Sequence, residues 1–383
     1  MHFYTSVNLN YLPKARILAK SIKRYCLNSK FTLILSDILP EEINPEGEPF
    51  DEIITILELG LPVKNINLWI YEHSVVELCT AVKGQALVKL LAEGSDKVVY
   101  LDPDVAVFND LECLDELLDK YDIILTPHIT IPEINDTGIW DNEICALKHG
   151  TFNFGFYAVK NSVNGLAFAN WWRDRLIKYC YDNIPEGLFT DQRWGDLAPC
   201  MFESVYIWKD PGCNVATWNI SNRKITKDIN NNYYVNNSTL KFYHFSGFDS
   251  GSQAAMLDRY SDGNEALYEL RMWYIQRQIE EEQNIYQNYP SRYNFYDNGV
   301  KIEKEEREFL RNRQDVIDFF KSTNPFITQQ ERSYYYWYRD KNNHLKTTEQ
   351  LLEERTEALE LEKKKLEKIY NSKLGWVIKN IVK

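Results

Sequence analysis

The sequence contains no Cys-x-x-Cys pair. Its seven cysteines, Cys26, Cys79, Cys113, Cys145, Cys180, Cys200 and Cys213, are scattered and odd in number. That spacing excludes a zinc cluster of the usual kind and fits reduced thiols in a cytoplasm. There is no run of about 18 apolar residues, so no segment reads as a membrane-spanning helix. No charged leader or cleavage site follows Met1; the chain enters MHFYTSVNLN directly, and secretion is not expected. Positive charge is short, with Lys+Arg 44 against Asp+Glu 56 and a net charge of -12. A general nucleic-acid binder needs a concentrated basic face and is therefore excluded. What remains is ordinary globular material, 44% hydrophobic and 26% charged, but rich in aromatics at 14%. The aromatic excess tilts toward an enzyme or a carbohydrate-handling protein. At 383 residues the chain exceeds one compact core, so a large domain with appendages is expected.

The opening reads as a βαβ unit. His2 to Val7 is β-prone, Leu12 to Tyr25 has Ala15, Leu18, Ala19 and Ile22 at helical spacing, and Phe31 to Leu35 is a second strand. A mostly parallel α/β sheet flanked by helices is the economical fold. Glu72 to Leu91 reads as a longer helix, broken at Gly94. Lys97 to Leu101 then forms an almost wholly apolar strand of the kind buried on both faces. Further strands are expected at Ile123 to Thr126, Phe152 to Val159 and Lys241 to Phe245, with a helix over Leu166 to Tyr181. Residues 1–250 make the main domain, 251–344 a helical extension and 345–383 a tail. In the extension, Leu267 to Asn284 and Ile302 to Phe320 read as helices. The tail spaces Leu345, Leu352, Leu359 and Leu366 at sevens, a weak coiled-coil signal, and ends in a basic amphipathic helix over Ile369 to Lys383.

Asp102-Pro103-Asp104 stands where the apolar strand ends, the edge at which open α/β sheets bind ligands. Two aspartates one residue apart offer two hard oxygen ligands to a magnesium or manganese ion. The apolar sequence on both sides is hard to reconcile with a solvated turn. His244, in Phe-Tyr-His-Phe-Ser-Gly, ends a later strand next to Gly247, and a neutral imidazole suits the same ion. A satisfied core histidine is the plain alternative.

These residues resemble the retaining GT-A glycosyltransferases of family 8, in their bacterial surface-polysaccharide branch. The resemblance rests on Thr80-Ala-Val-Lys83, Asp96 to Asp104, Phe152-Asn153-Phe-Gly155, Asp191-Gln192 and His244 to Gly247, in that order over residues 1–250. It implies a GT-A, Rossmann-like fold and a metal-dependent transfer of a sugar from a nucleotide diphosphate donor, a UDP-sugar being favoured. The acceptor would be a surface polysaccharide or lipid-linked glycan. Asp102, Asp104 and His244 would hold Mn²⁺ or Mg²⁺. Thr5, Ser6, Asn8 and Tyr11, in the first βα loop, would bind the nucleotide, with Asp102, Lys83 and Gly247 near the diphosphate or sugar. Asn153, Asp191 and Gln192 would face the donor sugar and acceptor, with Asp191 stabilising positive charge at the anomeric carbon. The structural alternatives are a turn-closing Asn153, a solvated Lys83 and a helix-capping Asp191. An inverting enzyme would instead use Asp191 as general base.

The chain departs from the family in two places. Asn8 replaces the usual acid of the first loop, and the Lys-Pro-Trp expected after the histidine is Phe248-Asp249-Ser250, so a diphosphate contact is either missing or supplied by another residue, Arg259 or Lys241. The rival readings are a catalytically silent scaffold that assembles other enzymes through its tail, and a nucleotidyltransferase. The latter is disfavoured because Thr5 to Leu12 has no glycine. The basic last helix fits self-association or the inner face of a membrane equally well.

Overall fold

The computed structural model describes residues 1–340 and 348–370. They fall into two compact units, Met1–Pro62 with Val75–Arg292, and Val63–Ser74 with Tyr293–Lys383. The strands of the first unit are β1 (His2–Val7), β2 (Lys30–Leu35), β3 (Glu52–Thr55), β4 (Lys97–Leu101), β5 (Val105–Val107), β6 (Ile123–Pro127), β7 (Phe152–Lys160), two short pieces β8 (Asp182–Asn183) and β9 (Leu188–Phe189), and β10 (Val205–Ile207). Seven of them make one sheet in the order β10-β6-β7-β4-β1-β2-β3. All neighbours are parallel except those of β7, which runs antiparallel between β4 and β6. The fold is thus α/β with a mostly parallel sheet, as the opening βαβ unit implies.

Strand periodicity sorts the two faces. Phe3 and Val7 of β1, Phe31, Leu33 and Leu35 of β2, and Val99 and Leu101 of β4 share one core with Ala15, Leu18 and Ile22 of helix Leu12–Tyr25 and with Leu114 and Leu118 of helix Glu112–Lys120. On the other face Tyr4, Tyr100 and Tyr157 meet helices Val75–Ala92 and Val163–Tyr179. Tyr100 and Tyr157 stack at 5.0 Å, and Trp172 packs edge-on to Tyr157 at 4.9 Å. The two helices touch where Gly84 sits: a Cβ there would lie 2.7 Å from the Arg173 Cα.

After β10 the chain forms a meander of β11 (Ile225–Lys227), β12 (Tyr233–Val235) and β13 (Ser238–Thr239), then β14 (Phe242–His244), which pairs antiparallel with β5. Helices Ser252–Tyr260 and Glu265–Glu280 fall in this same unit. Their Leu257, Leu267, Leu270 and Tyr274 share a core with Val215, Tyr243 and Phe245, and the Phe245 and Tyr274 rings stack at 3.9 Å.

The second unit takes in a short excursion of the chain that the sequence does not announce. Asn65 caps helix Ile66–Tyr71 and donates to the carbonyls of Lys321 (3.1 Å) and Thr323 (2.7 Å). Buried Arg307 donates to the carbonyls of Tyr71 and His73 at 2.9 and 2.8 Å. The single helix expected over 302–320 is two, Lys304–Arg311 and Gln314–Phe320, because Arg313 is extended (φ -125°, ψ 91°). In the tail, helix Thr348–Tyr370 leaves Leu359 and Leu366 exposed, while Leu345, the side chain of Leu352 and most of the basic helix over 369–383 lie outside the described residues. Among the described residues, no helix is long and apolar enough to cross a membrane.

Candidate functional site

The site is assembled at the C-terminal edge of β4. Alternation along that strand puts Tyr100 and Asp102 on the same face, and the Tyr100 hydroxyl donates to Asp102 Oδ1 at 2.7 Å. The chain turns through Pro103, with Val105 N–H donating to the Asp102 carbonyl (3.0 Å), and continues as β5. β5 pairs with β14 so that Val105 faces His244, and Phe245 N–H donates to the Asp104 carbonyl (2.8 Å). That register carries a histidine from 140 residues downstream onto the two aspartates. His244 Nε2 lies 3.0 Å from Asp104 Oδ1 and 3.8 Å from Asp102 Oδ2.

The three side chains can each present a ligand atom within 4.8 Å of the others. Two carboxylates and an imidazole form a donor set suited to Mn²⁺ or Mg²⁺. The space beside them depends on Gly155: a Cβ there would stand 2.7 Å from Asp102 Oδ2 and 2.5 Å from His244 Cε1. These residues therefore fit a divalent ion. Burial alone would lower the His244 pKa, but Asp104 and then Asp102 reverse this and raise it. Burial would likewise raise Asp104, yet His244 and Lys14 hold its carboxyl below the usual range. His244 is not a satisfied core residue, since its Nδ1 is buried without a partner. Trp218 packs edge-on to its ring at 5.2 Å.

Lys83 is buried rather than solvated. Its ammonium donates to Asp102 Oδ1 (3.1 Å) and Asp191 Oδ2 (2.9 Å) and sits 4.3 Å from the Tyr100 ring centroid. Burial opposes this charge, but the two aspartates outweigh it and push the Lys83 pKa up. Asp191 is buried too; burial raises its pKa against the pull of Lys83. It stands at the start of helix Gln192–Gly195 without a side-chain cap, and its other oxygen accepts from the Thr190 hydroxyl at 3.1 Å.

The antiparallel course of β7 explains how Asn153 and Gln192 arrive here. Its first residues lie against the last of β4, and Asp102 N–H donates to the Gly155 carbonyl at 2.9 Å. Asn153 is therefore in a strand, not a turn. Gln192 Oε1 accepts from Phe154 N–H (3.1 Å) and Asn153 Nδ2 (3.3 Å), and its Nε2 donates to the His149 carbonyl (3.0 Å), so this side chain is occupied with fixing the strand.

The first-loop residues are placed less uniformly. Thr5 and Ser6 lie inside β1, Thr5 Oγ1 buried without a partner and Ser6 Oγ 3.5 Å from Ser36 Oγ. Asn8 sits at the strand's end, buried, with no side-chain cap bond. Tyr11 has its pKa raised by burial and then by Asp104 and Asp249. Gly247 adopts φ +71°, and its carbonyl accepts from Gln253 N–H (3.0 Å). The two substitute cations are engaged elsewhere, Lys241 with Asp210 at 2.8 Å and Arg259 with Asp141.

Four further residues, to which the sequence assigned no role, stand at the site. Lys14 is fully buried in the first turn of helix Leu12–Tyr25, paired with Asp249, its ammonium 3.9 Å from the Tyr11 ring centroid. His128 Nε2 accepts from Asn153 Nδ2 (3.3 Å), its pKa pushed down to about 4 by burial. Asn214 Nδ2 donates to Asn153 Oδ1 (3.0 Å), and Trp218 lies edge-on to His128 at 5.3 Å. Asn214 Oδ1 and Trp218 Nε1 are buried without partners among the described residues, like His244 Nδ1.

No family model matches the chain. Two proteins of Bacillus subtilis (strain 168) are similar to it in sequence. The uncharacterized protein YfnD is 27% identical over 251 residues, 64% of this chain and 78% of that protein. The uncharacterized protein YfnF is 27% identical over 154 residues, 40% of this chain and 50% of that protein, so the match spans half of it. Among solved structures, the chain is similar to the galactosyltransferase LgtC in complex with donor and acceptor sugar analogues, with 18% identity, a TM-score of 0.37, and coverage of 64% of this chain and 87% of that one. It is also similar to the glycosyltransferase GlyE of Streptococcus pneumoniae TIGR4, with 17% identity, a TM-score of 0.34, and coverage of 55% and 45%.

Proposed function

We propose that the chain is a metal-dependent glycosyltransferase, moving a sugar from a nucleoside diphosphate donor, a UDP-sugar by preference, to a surface polysaccharide or lipid-linked glycan with retention. One observation carries the reading: Asp102, Asp104 and His244 converge at the ligand-binding edge of the sheet, with the buried Lys83–Asp191 pair bonded to the same Asp102. A divalent ion there supplies charge neutralisation for the departing diphosphate.

The chain's own residues do the rest. Asn8 and Tyr11, at the end of β1, hold the nucleoside, with the ring of Tyr11 available for stacking. Thr5 and Ser6 shape the floor beneath it and Gly247 the opposite wall. Lys14, itself paired with Asp249, is the cation beside Tyr11, whereas Lys241 and Arg259 pair with Asp210 and Asp141. Lys83 orients Asp102 and holds Asp191 as a carboxylate. Asp191 is a buried carboxylate beside the ligand set, 2.9 Å from the Lys83 ammonium. It suits stabilisation of positive charge at the anomeric carbon. Asn214 and Trp218 supply unpaired polar atoms that meet the sugars, beside Asn153 and His128, and Gln192 positions Asn153.

The test is a thermal-shift panel of UDP-, GDP-, CDP- and dTDP-sugars with and without Mn²⁺, on wild type and Asp104→Ala. Ligand at about 100 times its Kd stabilises the fold by about 2.7 kcal/mol. A shift that needs the metal and vanishes in the variant is expected. No shift with any donor would favour the silent-scaffold reading.

A further inference from the structure

A cleft of about 380 Å³ lies away from the aspartates, between helices Leu12–Tyr25 and Glu265–Glu280, the end of β5 and the β11–β12 hairpin. β5 links it to the site: Asp104 precedes the strand and Val107 ends it, about 10 Å on. We propose that this cleft is a second saccharide site, one that takes an anionic sugar unit such as a hexuronate or a phosphorylated hexose. The inference goes beyond the donor site and does not depend on it.

Two features of the lining carry it. The first is charge. The chain is acidic overall, yet the cleft is bordered by Lys20, Arg24, Lys227 and Arg277 against the one carboxylate of Glu281. Three of these cations hold carboxylates, Lys20 that of Glu281, Lys227 that of Glu269 and Arg277 that of Glu280. Arg24 has no carboxylate partner among the described residues; its guanidinium lies 5.2 Å from the Tyr25 ring centroid. Arg277 Nε is buried with no acceptor. An anion here would meet one guanidinium without a carboxylate partner and a second, Arg277, whose Nε is unpaired, and guanidinium geometry suits carboxylate or phosphate oxygens.

The second feature is the aromatic wall. Phe108 stands 5.9 Å from Tyr233 and 5.0 Å from Trp273. The rings are tilted by 75° and 58° to Phe108, so they form a faceted wall rather than a flat slot. Each ring offers an apolar face to the C–H face of a pyranose, and the cations line the same cleft that the sugar's anionic group would occupy. The wall is preformed. Asp228 ties down the hairpin tip by accepting from the N–H groups of Asn230 and Asn232 (2.8 Å each) and from Asn232 Nδ2 (3.0 Å).

The test titrates the full chain with glucuronic acid and glucose 6-phosphate, and with glucose, inorganic phosphate and UMP as controls, by ligand-observed NMR. The chains compared are wild type, Arg24→Glu, Arg277→Glu and Asp104→Ala, each checked for a cooperative melting transition above the titration temperature. Glucuronic acid, glucose 6-phosphate or both should bind wild type with a Kd of about 1 mM, and Arg24→Glu or Arg277→Glu should weaken binding by about tenfold or more. Asp104→Ala should leave it unchanged, which separates this site from the donor site. A preference for glucuronic acid assigns a uronate unit, and one for glucose 6-phosphate a phosphorylated one. Inorganic phosphate binding as well as the sugars, UMP displacing them, or no binding that responds to either charge reversal would each overturn the proposal.

Discussion

Lys83 and Gly155 carry the most testable chemistry at the scale of single residues. Removing one partner of a buried ion pair leaves the other charged and unsolvated, at a cost of about 3–5 kcal/mol. Lys83→Met should therefore destabilise the fold by about that much, because it strands Asp191. The double change Lys83→Met with Asp191→Asn should recover part of the loss. Denaturant unfolding of the two singles and the double gives the coupling directly, and additive losses would refute the pairing. Gly155→Ala tests the space beside the ligand set. Its methyl would press on Asp102, Asn153 and His244 at once, so Mn²⁺-induced stabilisation should be lost while the metal-free melting temperature falls by no more than an overpacked core costs, about 1–3 kcal/mol. Retained Mn²⁺ binding in that variant would mean the ion sits elsewhere.

The same residues set a pH dependence with two opposite signs. His244 has a raised pKa in the metal-free protein and Asp104 a lowered one. Their mutual stabilisation is then complete between about pH 4 and 6.5, the ordinary carboxyl and imidazole values. It is lost as pH rises through the raised imidazole pKa, and lost again as pH falls through the lowered carboxyl pKa. A cation must displace the His244 proton, so metal affinity should move the other way, rising with pH until the imidazolium is gone. Mn²⁺ titrations followed by calorimetry across that range would show it. Affinity independent of pH would remove His244 from the ligand set.

Among the elements, β7 and the contact between helices Val75–Ala92 and Val163–Tyr179 decide where the chemistry lands. The strand was legible from its apolar run, and its motif pointed to the acceptor side. Its direction was not legible, because hydrophobicity alone does not distinguish a parallel from an antiparallel buried strand. That direction is what brings Asn153 and Gly155 to Asp102. Gly84 is similarly silent in sequence, yet its missing side chain lets the two helices close on each other one residue from Lys83. Gly84→Ala should cost about 1–3 kcal/mol and weaken donor binding together with stability, since the shift moves the ammonium. Unchanged stability would show that the helices can separate without consequence.

Across the whole molecule, the legible parts were those encoded locally: the βαβ opening, the apolar β4 and the acids at its end. The parts that escaped depend on contacts between distant positions. Lys14 is buried because Asp249 waits 235 residues on. His128, Asn214 and Trp218 become a group only when β6 and the segment after β10 meet at Asn153. Helices Ser252–Tyr260 and Glu265–Glu280 read as an extension because their surfaces are charged, but their few apolar residues complete the core that holds β14, and hence His244, in register. The measurement that bears most directly on the account is turnover of nucleotide sugars in the absence of acceptor. It follows release of nucleoside diphosphate from each donor with Mn²⁺ and with chelator, for wild type, Asp104→Asn and His244→Gln. A metal-dependent transferase should hydrolyse one donor only when the metal is present, and either substitution should lower the rate by about 100-fold or more. Hydrolysis that persists with chelator, or survives both substitutions, would contradict it.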